Sequence, residues 1–316
     1  MEPKVEPVGP PAVVGEGPFW DDETQTLYYI DAFRPRIYSY HPSTGSHNSV
    51  SVVSEKPGKP EVHTSFVIKI KGEKNKFVIS DDKRLAVINW DGVSSDPVMT
   101  EHLMDVEQEP VASFNDGKCD PSNRLWAGTR GSVPLDVPIT EMQKEKGSLY
   151  SLQRDKTVKK HLSKITLSNG LTWSLDKKKF YYIDSLKFGI DSYDYDDTTG
   201  SISNGKTVFC YKKNNVDGLP DGMTTDQEGK IWVACVRGGQ VLRIDPNTGE
   251  IIQTVKIPSP LPTSVVFGGP NYEDLYVTSG KIKFTKEMEE KYPMAGCTFR
   301  VTGLGVRGVP SLPVQL

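Results

Sequence analysis

Short runs of alternating apolar and polar residues repeat along the chain, and three copies align by eye. They occupy residues 19–31, 172–184 and 225–234, and each contains an apolar run, a polar turn and a second run rich in aromatic residues. A third alternating run follows each copy. It ends in a Thr-Gly pair, at Thr44-Gly45, Thr199-Gly200 and Thr248-Gly249. Alternation with period two between turn residues predicts repeated antiparallel β-strands.

The first apolar residue of the second run is a reference point for counting the repeats. Six such residues recur about every 50 positions, at Leu27, Phe77, Leu125, Phe180, Ile231 and Leu275. An α/β fold would need long helices between the strands, and the one helical pattern, at residues 285–292, is short. We therefore expect an all-β fold, a six-bladed β-propeller that forms a single closed domain over residues 1–316.

A ring of blades must join its first unit to its last. Strands from the two termini usually share one blade, because this removes the exposed strand edges. Residues 5–8 and 307–316 are the candidates for this seam.

Composition narrows the class of protein without naming a function. The chain has 28 glycines and 23 prolines, a formal net charge of -3 and no basic surplus, so nucleic acid and anionic membranes are not expected partners. The first residues lack the apolar core of a secretory signal. Four cysteines, far apart and without a Cys-x-x-Cys pair, favour reduced thiols in a cytoplasmic protein, and one internal disulfide remains an alternative.

Polar residues recur 10 to 12 positions before each reference residue, where the innermost strand of a blade begins near the central channel. Four of them are Glu16, Asn115, Asn169 and Asp221, and the other two units have Ser65 and Thr263 or Ser264. Two carboxylates and two amides form a hard-oxygen site, which suits Ca²⁺, Mg²⁺ or Mn²⁺ better than zinc. This set predicts a metal site in the channel. The alternative is that each Asn-Gly or Asp-Gly pair is only a turn.

Seven segments closely resemble the family of regucalcin (senescence marker protein), gluconolactonases and luciferin-regenerating enzymes. They include Gly-Glu-Gly-Pro-Phe-Trp at 15–20, Asn-Asp-Gly-Lys at 115–118 and Pro-Asp-Gly-Met at 220–223. The others lie at 165–174, 180–185, 267–272 and 301–306. The resemblance implies a six-bladed propeller with one divalent cation in its channel.

The same resemblance implies roles for the channel residues. Glu16, Asn169 and Asp221 would bind the metal, and Asn115 would contact a metal-bound water or the substrate. Asp221 would also be the base that hydrolyses a sugar lactone. Ca²⁺ is the favoured cation, with Zn²⁺, Mg²⁺ and Mn²⁺ as alternatives.

The chain departs from the family pattern at one position of the expected substrate site. Relatives usually have an arginine two residues before the Asn-Asp-Gly asparagine, and here the residue is Ser113. A serine has neither the reach nor the fork of donors of a guanidinium. We expect Arg130 to enter the pocket and compensate in part, the alternative being an exposed loop arginine. Residues 132–146 are interpreted as a lid over the channel mouth. His63 is a second pocket-lining candidate, with an ordinary loop histidine as the default interpretation.

Three functions follow from these observations. The first is a metal-dependent hydrolase of a sugar lactone such as D-glucono-1,5-lactone, with Asp221 as catalytic residue and Asn115, Arg130 and Ser113 as substrate-binding residues. The second is a non-catalytic calcium-binding regulatory protein. The third is an enzyme of the luciferin-regenerating type that acts on a different small molecule.

Overall fold

The computed structural model describes residues 2–55, 62–110, 112–132 and 139–316, with only the backbone described at residue 140. These residues form short strands, which in chain order are β1 Lys4–Val8, β2 Gly15–Asp21, β3 Thr26–Asp31, β4 Arg36–His41, β5 Ser46–Val53, β6 Val67–Lys69, β7 Lys76–Asp81, β8 Arg84–Asn89, β9 Val98–Met99, β10 Glu101–Asp105, β11 Ser113–Cys119, β12 Leu125–Arg130, β13 Gly147–Leu152, β14 Val158–Ile165, β15 Ser168–Trp173, β16 Lys179–Asp184, β17 Gly189–Asp196, β18 Ser201–Cys210, β19 Leu219–Thr225, β20 Ile231–Val236, β21 Gln240–Asp245, β22 Glu250–Lys256, β23 Pro262–Gly268, β24 Asp274–Ser279 and β25 Thr298–Thr302.

The strands form six sheets, each of which is one blade of a propeller. In the described chain the orders are β2-β3-β4-β5-β9 (blade 1), β6-β7-β8-β10 (blade 2), β11-β12-β13-β14 (blade 3), β15-β16-β17-β18 (blade 4), β19-β20-β21-β22 (blade 5) and β23-β24-β25-β1 (blade 6). All six reference residues lie in the second strand of their blade, so the predicted repeat and the all-β propeller are confirmed. That the six blades form a single domain stays a prediction.

The ring closes in blade 6, where the first strand of the chain pairs with the last. Strand β1 runs antiparallel to β25, with Lys4 opposite Thr302 and Val8 opposite Thr298. The N-terminal half of the expected seam is confirmed. The C-terminal half, residues 307–316, was placed wrongly because β25, at residues 298–302, is the strand that pairs with β1.

Residues 307–316 instead connect blades at the far end of the channel. Gly308 forms an antiparallel bridge with Asp226 of blade 5, and Val314 forms a parallel bridge with Ile70 of blade 2. This segment therefore crosses between blades that are distant in sequence rather than extending one sheet.

The blades bury apolar faces against each other, and carboxylates join them to the connecting loops. The second strand is the most buried, and in β20 Ile231, Trp232 and Val233 have no exposed surface. At the end of two second strands an aspartate accepts backbone N–H groups from the loop before its blade. Asp31 accepts from Val13 at 2.8 Å, and Asp184 accepts from Leu167 at 3.0 Å.

Outside the sheets the described chain has little regular structure. Two short 3-10 helices occur, η1 Ile139–Glu141 and η2 Ser185–Lys187, together with the helix α1 Lys286–Lys291. The Thr285 hydroxyl caps α1 by accepting the N–H of Met288, a common role for threonine at a helix N-terminus. No helix among the described residues is long and apolar enough to cross a membrane. All four cysteines are free thiols.

Removing β1 should destabilise the whole ring, because it leaves the edge of β25 unpaired and opens the seam. We expect deletion of residues 1–8 to lower the Tm by at least about 5 °C, measured by thermal unfolding. The variant Lys4→Ala, which removes only an exposed side chain of β1, is the control and should unfold like the parent. A deletion variant with the parent's Tm would contradict the seam.

Candidate metal and substrate site

The innermost strands of five blades carry a register irregularity at the positions that begin near the channel. The pairing shifts between Glu16 and Phe19, Phe114 and Asp116, Asn169 and Leu171, Pro220 and Met223, and Pro262 and Val265. A β-bulge interrupts the ladder and turns side chains away from the regular alternation. The predicted site residues therefore lie at bulges of neighbouring inner strands.

Glycines next to these residues let the inner strands approach each other. A Cβ on Gly170 would lie 2.6 Å from the carbonyl oxygen of Asp221, and a Cβ on Gly17 would lie 2.7 Å from the Cα of Phe66. Gly17 also has a φ of 53°, which disfavours other residues. Any larger residue would push adjacent blades apart at the channel.

Asn115 connects blade 3 to blade 4. Its Nδ2 donates to the carbonyl oxygen of Ser168 at 2.7 Å and to Asn169 Oδ1 at 3.1 Å. Its Oδ1 accepts from Arg130 Nε at 3.0 Å. The two predicted amides thus contact each other, and Arg130 contacts the first of them.

Arg130 lies beside the site rather than out in solvent. It is opposite Ser113 in the β11–β12 pairing, and its Nη1 donates to the carbonyl oxygen of Gly131. Burial lowers its pKa from the usual arginine value. Among the described residues no carboxylate pairs with this guanidinium, so it retains donors for another partner.

Asn169 is held from its other side by blades 4 and 5. Its Nδ2 donates to Ser185 Oγ at 2.7 Å, and that hydroxyl donates to the carbonyl oxygen of Pro220 at 2.6 Å. Pro220 directly precedes Asp221 on β19. A continuous series of hydrogen bonds therefore joins Arg130 to the strand that carries Asp221.

The two predicted carboxylates affect each other's charge. Burial raises the pKa of Glu16 well above its usual value, and the nearby carboxylates of Asp221 and Asp116 raise it further. Burial likewise raises the pKa of Asp221, with a further increase from Asp116. Each accepts a backbone N–H from the glycine that follows it, which opposes the increase.

Two channel residues were missed by the sequence analysis. Asp116 is 9% exposed, and burial raises its pKa to about 6 although the cation of Lys118 opposes the increase. Burial lowers the pKa of Lys118 to about 8. Lys118 Nζ donates to the carbonyl oxygen of Met223, so it reaches from blade 3 to blade 5.

The donor chemistry fits a hard divalent cation. Glu16, Asp221 and the amide oxygen of Asn169 supply only oxygen, and a bound cation would relieve the repulsion between the two buried carboxylates. Within the described chain no three His, Cys, Asp or Glu side chains are grouped to hold a metal. The candidate set therefore depends on an amide as its third member.

The remaining predicted positions have other surroundings. Ser65 contacts Ser80 Oγ, and Thr263 Oγ1 donates to the carbonyl oxygen of Gly15, so both form hydrogen bonds between strands. His63 is exposed. Of the predicted lid, residues 133–138 lie outside the described residues.

A cavity of about 210 Å³ lies further along the same inner strands, towards their ends. Its lining includes Phe19, Trp173, Leu312 and the two lysines Lys118 and Lys177, and no carboxylate. This lining does not suit a divalent cation, whereas the residues where the inner strands begin, Glu16, Asn169 and Asp221, do.

Comparison with known proteins agrees with this arrangement. Residues 14–281 match the model of the SMP-30/Gluconolactonase/LRE-like region. The chain belongs to this family. It is 42% identical over 297 residues to regucalcin of Danio rerio, and the aligned region covers 94% of this chain and 93% of that protein.

Solved structures extend the comparison of the family fold. A luciferin-regenerating enzyme superposes with a TM-score of 0.91 at 42% identity and covers 99% of this chain and 100% of its own. A gluconolactonase from Xanthomonas campestris superposes with a TM-score of 0.70 at 17% identity, covering 95% of this chain and 89% of its own. At that identity the second likeness concerns the fold alone.

The raised pKa of Asp116 predicts how stability depends on pH. Between about pH 4 and pH 6 the folded protein holds a proton on Asp116 that the unfolded chain has lost, so stability falls as the pH rises through this window. We expect Asp116→Asn to flatten this fall when Tm is measured against pH in the presence of a chelator. The exposed carboxylate Asp96 provides the control, and an equal slope in Asp116→Asn and Asp96→Asn would contradict the prediction.

Proposed function

We propose that the protein is a divalent-metal-dependent hydrolase of a sugar lactone such as D-glucono-1,5-lactone. The observation that carries the proposal is the grouping of Glu16, Asn169 and Asp221 beside an Asn115 that Arg130 holds. Membership of a family whose name includes gluconolactonase supports a reaction on a small carbonyl compound.

The metal residues would be Glu16, Asn169 and Asp221, which present oxygens from three inner strands. When bound, a divalent cation supplies Lewis-acid polarisation of the lactone carbonyl. Ca²⁺ is the favoured cation. Mg²⁺, Mn²⁺ and Zn²⁺ are alternatives for the experiment below.

The protein's own residues would then manage water and substrate. Asp221 would accept the proton of the attacking water, since a neighbouring cation keeps its carboxylate ionised and so able to act as a general base. Asn115 would orient the water or the substrate through its amide. Its position is fixed by Ser168, Asn169 and Arg130, so little reorganisation is needed.

Arg130 would take over the substrate contacts that Ser113 cannot make. The two residues lie opposite each other in neighbouring strands, so a guanidinium that extends from residue 130 can occupy the space beside a short residue 113. The free donors of Arg130 suit the ring and hydroxyl oxygens of a lactone.

A second candidate is an enzyme of the luciferin-regenerating type that acts on a different small molecule. It is favoured by the 42% identity to a luciferin-regenerating enzyme over nearly the whole chain. This candidate uses the same residues on another carbonyl compound. The lactone assay below separates the two.

The decisive experiment is a pH-stat assay of D-glucono-1,5-lactone hydrolysis with Ca²⁺, Mg²⁺, Mn²⁺ and Zn²⁺ in turn. We expect turnover that a chelator abolishes and one of the cations restores. No turnover from a protein that binds a cation by calorimetry would contradict the lactonase and favour a calcium-binding regulatory protein or another substrate.

Replacing the proposed base should remove chemistry while keeping the fold. We expect Asp221→Asn to lower kcat for the lactone by about 10³-fold, since the amide cannot accept the proton. Asp176→Asn, on the exposed turn between β15 and β16, is the control and should retain full activity. Full activity in Asp221→Asn would refute the mechanism.

Replacing the guanidinium should weaken substrate binding. We expect Arg130→Ala to raise KM about tenfold, and Arg130→Lys to lie between Ala and the parent, because lysine keeps the charge without the fork of donors. Arg154→Ala, at an exposed arginine, is the control. An unchanged KM in Arg130→Ala would show that Arg130 does not contact substrate.

A further inference from the structure

We propose that Ser185 is a positioning residue that fixes the amide orientation of Asn169 and so allows it to present an oxygen to a divalent cation. The inference rests on the proposed function, in which Asn169 binds that cation. Ser185 begins η2 directly after β16 and is 1% exposed, and Asn169 is 5% exposed. Because both side chains are buried, water cannot readily replace a lost hydrogen bond between them.

The direction of the hydrogen bonds around Ser185 follows from one carbonyl group. The carbonyl oxygen of Pro220 can only accept, so the single hydroxyl proton of Ser185 is directed to it. Ser185 Oγ is then left with lone pairs, and the atom of Asn169 that faces it at 2.7 Å must be the NH₂ group. Asn169 Oδ1 therefore lies on the opposite side of the amide, a choice that the shape of the side chain alone leaves open.

The other end of the series agrees with this direction. Arg130 can only donate, so the atom of Asn115 that faces its Nε is Oδ1. The NH₂ group of Asn115 then donates to the carbonyl oxygen of Ser168 and to Asn169 Oδ1. From the described residues Asn169 Oδ1 accepts this one hydrogen bond, which leaves a second lone pair for a cation.

Ser185 also connects two of the proposed metal residues across a blade boundary. Asn169 lies on β15 of blade 4, whereas Pro220 and Asp221 lie on β19 of blade 5. The Ser185 hydroxyl thus holds both the side-chain amide of Asn169 and the backbone directly before Asp221. Residues that hold metal-binding side chains in this way typically change metal affinity by 10- to 100-fold when they are mutated.

The test is calorimetric titration of the full-length protein with Ca²⁺ alone and with Mn²⁺ alone. We expect Ser185→Ala to raise the cation Kd at least about tenfold, because Asn169 loses the acceptor that directs its NH₂ group away from the cation. Ser185→Thr keeps the hydroxyl and should restore the Kd to within about threefold of the parent.

A matched control is Ser39→Ala in blade 1. Ser39 is also a buried serine, 2% exposed, that donates to a carbonyl oxygen, that of Gly92, and accepts from an asparagine amide, Asn48 Nδ2. It lies in the third strand of its blade, so its loss should lower the Tm without changing the cation Kd. A tenfold weaker Kd in Ser39→Ala would mean that loss of stability explains both results and would overturn the inference.

Two further outcomes are decisive. An unchanged Kd in folded Ser185→Ala, while the parent binds a cation, overturns the role of Ser185 and leaves the proposed function intact. A parent protein that binds no cation overturns both. If Ser185→Ala does not fold, Ser185→Cys takes its place. Its thiol is a much weaker hydrogen-bond partner than the hydroxyl, so the Kd should rise, and a Kd equal to the parent's would likewise overturn the inference.

Discussion

The bulge in the innermost strand is the constraint on which the candidate site depends. A regular strand presents only every second side chain to the channel, and its ladder keeps neighbouring strands at a fixed spacing. The register shifts at Glu16, Asn115, Asn169 and Asp221 interrupt that alternation at the same phase of each repeat. Polar side chains from four blades can then meet where a regular barrel-like core would be apolar.

This arrangement places three carboxyl groups in a poorly solvated channel. Glu16, Asp116 and Asp221 each have a raised pKa, with burial as the largest cause. The burial that makes ionisation unfavourable also strengthens the attraction to any cation that enters. Lys118 supplies a positive charge beside Asp116, and a divalent ion would supply more. Burying these carboxyl groups lowers the free energy of unfolding, and the same burial strengthens their binding of a cation.

Much of the fold was predictable because a repeat places equivalent residues in equivalent places. The repeat period located the reference residues, and counting 10 to 12 positions back from them located Glu16 and Asp221. Asp116 was missed because simple alternation puts it on the face opposite Asn115, and only the shift between Phe114 and Asp116 brings both to the channel. Ser185 was also invisible to the sequence, since its role depends on the carbonyl of Pro220 in the next blade.

Of the two strands that close the ring, β1 was located from the sequence but its partner β25 was not. Residues 298–302 alternate Thr-Phe-Arg-Val-Thr, which is a strand pattern, whereas residues 307–316 contain two prolines and two bridges rather than a ladder. The last strand of the ring therefore ends before the chain does. The pairing that closes blade 6 uses residues 298–302, and residues 307–316 cross between blades 5 and 2.

The pairing of β1 with β25 also sets an order of events during synthesis. Strand β1 leaves the ribosome well before its partner, residues 298–302, is made. At about 10 residues per second the two are separated by roughly 30 seconds. During that interval β1 has no native partner and an exposed edge, so the ring can close only after residues 298–302 have been made, and a chain that stalls before them would keep an open blade.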